Sequence, residues 1–175
     1  MKKKYLNDVM LNFYLKKILD SRVYEVAKET PLEFAANLSE KFKKKIFLKR
    51  EDTQPTFSFK IRGASNAIFS LNAQERSQGV ACQSSGNHGG AIACAADLKG
   101  VHADIVMAKS VSKAKIHNVR TYNGNMIFCD SMSERDELFT KTVADNNRIS
   151  IHPYDNFSVM AGQGTIGLEI VEQVP

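Results

Sequence analysis

Several residue types and patterns are scarce in this chain of 175 residues, which has no tryptophan, four prolines and three cysteines. The number of cysteines is odd, and no C-x-x-C pair occurs among Cys82, Cys94 and Cys129. We therefore predict neither a disulfide framework nor a zinc knuckle. The four histidines show no metal-ligand spacing, and we predict no metal site. No apolar run approaches the ~20 residues that a membrane helix needs. These absences favour a cytoplasmic protein with reduced thiols and no membrane partner.

The chain also lacks a phosphate-binding P-loop, a G-x-S-x-G elbow and an H-E-x-x-H zinc helix. One stretch, "GQGTIG" at residues 162–167, does match the dinucleotide pattern G-x-G-x-x-G. A dinucleotide site needs a strand on each side and an acidic residue about twenty positions later, and too few residues follow Gly167 for that unit. We therefore expect a helix whose glycines let it pack closely on a neighbour.

The net charge is +5, and much of it lies in "MKKK" and in residues 41–50. A nucleic-acid partner would need a basic surface together with a recognisable fold motif or stacking aromatic residues. Neither is evident, so we expect no nucleic-acid partner and interpret these lysines as a solvated face. A basic nucleic-acid-binding protein stays the weakest alternative, which salt-dependent DNA retention would support.

Strand-like and helix-like segments alternate from about residue 45 onward. This alternation predicts an α/β fold with an open parallel sheet flanked by helices. Before it, Leu6, Val9, Met10, Phe13, Ile18 and Leu19 predict one face of an amphipathic helix. Thr30 and Pro31 predict the start of a second helix, and Ser133 with Asp136 predicts a capping pair. Ligands bind outside the carboxyl ends of parallel strands, which directs attention to the loops "QSSGN", "AKSVS" and "DSMS".

Two motifs could carry chemistry. In "SFKIRGA", residues 58–64, Lys60 is flanked by Phe57 and Phe59, and a lysine that the fold desolvates becomes a neutral nucleophile. The alternative is a surface lysine on an amphipathic helix. In "SSGNHGG", residues 84–90, a small-residue turn leads into a helix whose free N–H groups can bind an anion. The alternative is a tight turn with an ordinary helix cap.

Together, "SFKIRGA" and "SSGNHGG" resemble the fold-type-II pyridoxal-phosphate enzymes, specifically the threonine/serine dehydratase and serine racemase family. "TPLE", "LKRED" and "AGQGTIGLEI" agree with this family in order along the chain. The resemblance implies the small domain of the tryptophan-synthase-β-like fold plus part of a large domain. It divides the chain into residues 1–52 (large domain), 53–152 (small α/β domain with Lys60 and the turn) and 153–175 (start of the return to the large domain).

The resemblance also implies roles for residues in both motifs. Lys60 would bond to the aldehyde of pyridoxal 5'-phosphate and later take the Cα proton of the substrate. Asn87 would hydrogen-bond the cofactor's ring oxygen, and Phe59 would contribute to the same cofactor site. The substrate carboxylate would bind at the turn formed by Ser84, Ser85, Gly86 and His88.

The reaction implied is loss of water from threonine or serine, which yields a 2-oxo acid and ammonia. A serine racemase is the first alternative, because Ser85 resembles the racemase acid/base on the face opposite the lysine. A non-catalytic fragment that retains the fold is the second.

The sequence departs from the family pattern at residues 90 and 91, where no catalytic group is removed, and at its end. Gly90 and Ala91 stand where the family usually has Gln and Gly. The sequence stops before the glycine-rich loop that binds the cofactor phosphate in this family. We therefore expect these 175 residues to hold the cofactor weakly or not at all and to have impaired activity. We also expect self-association through the apolar face of residues 162–175.

Overall fold

The computed structural model describes residues 8–174. Two short strands form an antiparallel ribbon near the N-terminus, in which Leu32 lies opposite Lys49. The remaining strands form a four-stranded sheet with helices between them. The elements are α1 (Asp8–Leu19), β1 (Leu32–Phe34), α2 (Ala36–Phe42), β2 (Phe47–Lys49), α3 (Lys60–Phe69), α4 (Ala73–Gln78), β3 (Val80–Gln83), α5 (Asn87–Leu98), β4 (Ala103–Ala108), α6 (Lys113–Thr121), β5 (Asn125–Cys129), α7 (Met132–Asp145), β6 (Ile149–Ser150) and α8 (Phe157–Gln173).

The four-stranded sheet has the order β5-β4-β3-β6, and every neighbouring pair is parallel. Its central strands are short apolar runs; Cys82 of β3 pairs with Ile105 of β4, and both side chains are buried. Such strands are buried on both faces when helices cover the sheet, and both α5 and α7 contact β3 and β4. The predicted α/β fold with a helix-flanked parallel sheet is confirmed.

The order of the strands defines where a ligand would bind. The chain runs from β3 to β4 and β5 on one side, and then returns to place β6 on the other side of β3. In open parallel sheets, ligands bind at this reversal point, outside the carboxyl ends of the strands. The segments that leave those ends are residues 84–86 after β3 and residues 151–155 after β6.

Helix α8 packs closely on α3 through glycine. A Cβ built on Gly162 would lie 2.6 Å from the carbonyl oxygen of Arg62 and 2.7 Å from Cα of Gly63. The "GQGTIG" stretch lies within this single helix, where it mediates helix packing as predicted. No helix among residues 8–174 has both the length and the apolar character to cross a membrane.

We expect Gly162→Ala to lower the free energy of unfolding by about 1–3 kcal/mol, since the new methyl group would meet backbone atoms that cannot easily move. Gly167→Ala is the matched control on the same helix, because its Cβ would have nothing within 4 Å. It should raise stability by about 0.5–1 kcal/mol through helix propensity. Urea denaturation of both variants checks this, and two changes of equal sign would contradict it.

Two predicted helix starts are wrong. Leu32–Phe34 forms a strand, and α2 begins later, at Ala36. The hydroxyl of Thr30 donates to Glu51 Oε1 at 2.6 Å instead of capping a helix, so tertiary pairing outweighs the local capping signal. Helix α7 is capped by Ser131, whose Oγ accepts the N–H of Glu134 at 3.1 Å, and not by the predicted pair Ser133 and Asp136.

The predicted apolar face of the N-terminal helix is only partly buried. Ile18 packs against Gly164 of α8, whereas Phe13 and Leu19 are exposed. Leu6 lies outside the described residues. The short helix α4 is not predicted above, although Asn72 and Glu75 form a capping box at its start.

Candidate active site

Lys60 is the first residue of α3, and its side chain is half-buried. Its Nζ donates a hydrogen bond to the carbonyl oxygen of Pro153 at 2.8 Å and lies 5.1 Å from the ring centroid of Phe59. Burial lowers the pKa of Lys60, because desolvation disfavours the charged ammonium. Phe57, the other aromatic neighbour in the sequence, is 77% exposed and does not enclose the amine.

His88 lies in the first turn of α5 and is only 3% exposed. Its Nε2 is 3.2 Å from the carbonyl oxygen of Ile151, so this nitrogen carries the proton and donates it. The opposite nitrogen, Nδ1, is then a buried acceptor with no hydrogen-bond partner among the described residues. Burial lowers the pKa of His88 to about 4, and the nearby charge of Lys60 acts in the same direction.

Lys60 and His88 are therefore held by the same segment, residues 151–155 after β6. Ile151 binds the imidazole and Pro153 binds the amine, both through main-chain oxygens. His152 stabilises this turn, since its Nδ1 accepts the N–H of Asp155 at 2.8 Å. The structure thus brings the lysine of the first motif to the helix start of the second, at the carboxyl ends of β3 and β6.

Both serines of the turn between β3 and α5 accept main-chain N–H groups. Ser84 Oγ accepts the N–H of Gly86 at 3.3 Å, and Ser85 Oγ accepts the N–H of Ala108 at 3.0 Å. Gly86 is the residue before α5 and provides no capping side chain. Among the described residues other than its two chain neighbours, a Cβ built on it would meet only Lys115 Nζ, at 4.0 Å, so there is room beside Gly86.

Asn87 is exposed and lies on a neighbouring cleft of about 430 Å³. Thr56 and Phe57 form one part of its wall, and α6 forms much of the rest. Lys60 is not among the residues that line this cleft. Its amine lies near Phe59, and its charge acts on His88. The role of Asn87 stays a prediction.

A family model described as "Pyridoxal-phosphate dependent enzyme" matches residues 23–175. The chain belongs to this family. It is 41% identical over 162 residues to threonine dehydratase 1 biosynthetic, chloroplastic, of Solanum lycopersicum, covering 92% of this chain and 27% of that protein. It is 38% identical over 156 residues to serine racemase of Oryza sativa subsp. indica, covering 89% of this chain and 46% of that protein.

The fold comparison agrees with the sequence comparison. The solved structure of the processed form of threonine deaminase isoform 2 from Solanum lycopersicum matches this pyridoxal-phosphate family member with a TM-score of 0.90 at 37% identity. The match covers 97% of this chain and 47% of that one. The chain thus spans less than half the length of these relatives.

The residues at the site fit pyridoxal phosphate. An aldehyde requires a neutral amine, and the lowered pKa of Lys60 favours that form. The amine is hydrogen-bonded to a carbonyl oxygen rather than paired with a carboxylate, so no ion pair must break before it reacts. The open space at Gly86 leaves room for a ligand beside the helix start.

A charge cluster next to Lys60 along α3, largely buried, was not predicted from the sequence; it comprises Arg62, Glu169, Glu51 and Lys49. Arg62 is 0% exposed, and its guanidinium donates to Glu169 Oε2 and to Glu51 Oε2, each at 2.9 Å. Lys49 Nζ lies 2.6 Å from Glu169 Oε2. One sequence signal could have indicated this cluster, namely the single acid Glu169 within the apolar stretch "TIGLEIV". A charged side chain in such a stretch must either be paired inside the core or lie outside it.

Proposed function

We propose that the chain binds pyridoxal phosphate through Lys60 and acts in a dehydratase that removes water from threonine or serine, yielding a 2-oxo acid and ammonia. The single observation that carries the proposal is the half-buried Lys60 amine, with its lowered pKa, beside the start of α5. The threonine dehydratase names of its relatives support the choice of reaction.

The surroundings of Lys60, of His88 and of the start of α5 support a role for each of them in this reaction. When bound, the cofactor would act as an electron sink for the charge left at the substrate Cα. Lys60, once free of the cofactor, would take the Cα proton, because a lysine of lowered pKa serves as a base near neutral pH. The start of α5 would hold the substrate carboxylate through its free N–H groups. His88 would stay neutral and keep the helix start attached to Ile151.

Racemisation of serine is the second candidate function, and Ser85 is the residue that favours it. Its Oγ accepts the N–H of Ala108 at 3.0 Å, which leaves the hydroxyl proton free to be donated. An N–H group pointing at this oxygen also stabilises the negative charge that develops when the proton leaves. The rice relative is named serine racemase.

Chemical trapping tests the cofactor site. Pyridoxal phosphate added to the purified chain at pH 7.5, followed by borohydride reduction and peptide mass spectrometry, should label Lys60 ahead of the other lysines, since a lower pKa gives a larger neutral fraction. Lys60→Ala should remove that label and its absorbance band. Lys45→Ala, at an exposed position, should leave both unchanged. Label spread over surface lysines and insensitive to Lys60→Ala would contradict the proposal.

The reaction itself is separated by product analysis. Ammonia release from L-threonine or L-serine that depends on Lys60 supports the dehydratase. D-serine formation that is lost in Ser85→Ala supports the racemase. A labelled Lys60 with neither product supports a non-catalytic fragment that retains the fold.

Self-association, cytoplasmic location and the division at residues 52/53 and 152/153 stay proposals. Exposure of Met160, Val171 and Val174 at α8 supports self-association, because apolar patches tend to become interfaces. Sedimentation of the purified chain measures it directly.

A further inference from the structure

We propose that Lys115 is a further carboxylate-binding residue of this site, acting together with the first turn of α5. The inference rests on the proposed function, because it assigns the amino-acid substrate's carboxylate to this position. It adds a charged side chain from α6 to a turn that otherwise offers only main-chain groups, hydroxyls and an amide.

The first turn of α5 is suited to an anion. The N–H groups at the start of a helix have no partners within the helix and carry its positive dipole end. Gly86 offers α5 no side-chain cap, and α2, α3 and α6 also begin without one, whereas α4, α7 and α8 are capped by Asn72, Ser131 and Asn156. A ligand can therefore approach this helix start without displacing a side-chain cap.

The amine of Lys115 lies beside Gly86, the residue before α5. Outside the residues adjacent to Gly86, Lys115 Nζ is the one atom of the described residues within 4 Å of a Cβ built on Gly86, at 4.0 Å. The side chain is exposed and has no hydrogen bond or ion pair with the described residues, so its charge is available to a ligand. Lys115 also lines the cleft of about 430 Å³, on which Asn87 and the imidazole of His117 lie as well.

Thr56 supplies the second sign of a ligand. It lines the same cleft and is 1% exposed, yet its Oγ1 has no hydrogen-bond partner among the residues that the structure describes. A buried hydroxyl without a partner is costly, so Thr56 needs a partner from outside the described residues, such as a bound ion, a ligand or a water molecule. The cleft thus brings together a cation, the first residue of α5 and an unsatisfied hydroxyl, and each of these can bind a carboxylate.

Titration with sodium acetate, followed by NMR on the ¹⁵N-labelled chain at constant ionic strength, tests the inference. Acetate should shift the amide signals of Gly86, Asn87 and His88. Lys115→Gln should raise the apparent dissociation constant about three- to five-fold, as expected for losing a partly exposed charge pair. Lys115→Arg should restore binding to within about two-fold of wild type.

Lys113→Gln is the matched control, because it removes the same charge from an exposed position on the same helix. Equal weakening by Lys113→Gln and Lys115→Gln, or no effect of Lys115→Gln, would overturn the inference, as would an absence of shifts at the helix start. Thr56→Val should weaken acetate binding while the dispersed spectrum of a folded chain persists. Trapping of pyridoxal phosphate at Lys60 in the Lys115→Gln chain reports on the cofactor site separately, so either proposal can fail alone.

Discussion

Replacing Arg62 by methionine should lower the free energy of unfolding by about 3–5 kcal/mol, the usual cost of removing one partner from a buried ion cluster. The guanidinium is fully buried and is shared by Glu169 and Glu51. Burial by itself would raise the pKa of Glu169, but hydrogen bonds from Arg62, Lys49 and Tyr24 lower it to about 2. Without Arg62, Glu169 would remain a buried acid with much less compensation.

Chemical denaturation with urea measures this change, and Arg50→Met is its control. Arg50 also contacts two acids, Glu33 and Asp52, but at the surface. Solvent screens such pairs, so the control should change stability far less. Equal losses of unfolding free energy in Arg62→Met and Arg50→Met would mean that burial does not determine how much the cluster contributes to stability. Glu169→Gln should also destabilise the fold, because it leaves Arg62 with a single acidic partner.

His88 should make the fold lose stability as the pH falls through the weakly acidic range. Its pKa is about 4 in the folded chain and near 6.5 when unfolded, so the unfolded chain binds more protons between these values. Stability is therefore complete above about pH 6.5 and decreases below it. The expected loss is about 2 kcal/mol between pH 7 and 5, rising to about 3 kcal/mol by pH 4.

Urea denaturation at several pH values isolates this contribution. Glu169, Glu51 and Asp104 have lowered pKa values, so their own losses fall mainly below pH 5. His88→Gln should flatten the stability profile between pH 7 and 5, whereas His117→Gln, at an exposed position, should keep the wild-type slope. An unchanged slope in His88→Gln would show that another group titrates in this range.

Local sequence signals predicted the repeating elements and the two reactive motifs, but not the long-range partners. The alternation of strand-like and helix-like segments after about residue 45 is a property of neighbouring residues, and it was interpreted correctly. Arg62 and Glu169 are 107 positions apart, so no local pattern links them. Thr30 illustrates the opposite error, since a strong local capping signal yields to its bond with Glu51.

At the candidate site, too, residues with local sequence signals were predicted and their long-range partners were not. Lys60 and residues 84–88 carry recognisable side chains and were singled out, whereas residues 151–155 were not. That segment contacts Lys60 and His88 through carbonyl oxygens, which every amino acid possesses. Lys115 and Thr56 were missed because the cleft that they line forms only where α6 meets the stretch before α3.

The use of main-chain oxygens by Ile151 and Pro153 has an evolutionary consequence. Substitution at either position leaves the acceptor in place as long as the backbone keeps its path. Homologous chains can therefore diverge in side chains along this segment and still dock the lysine and the imidazole in the same way.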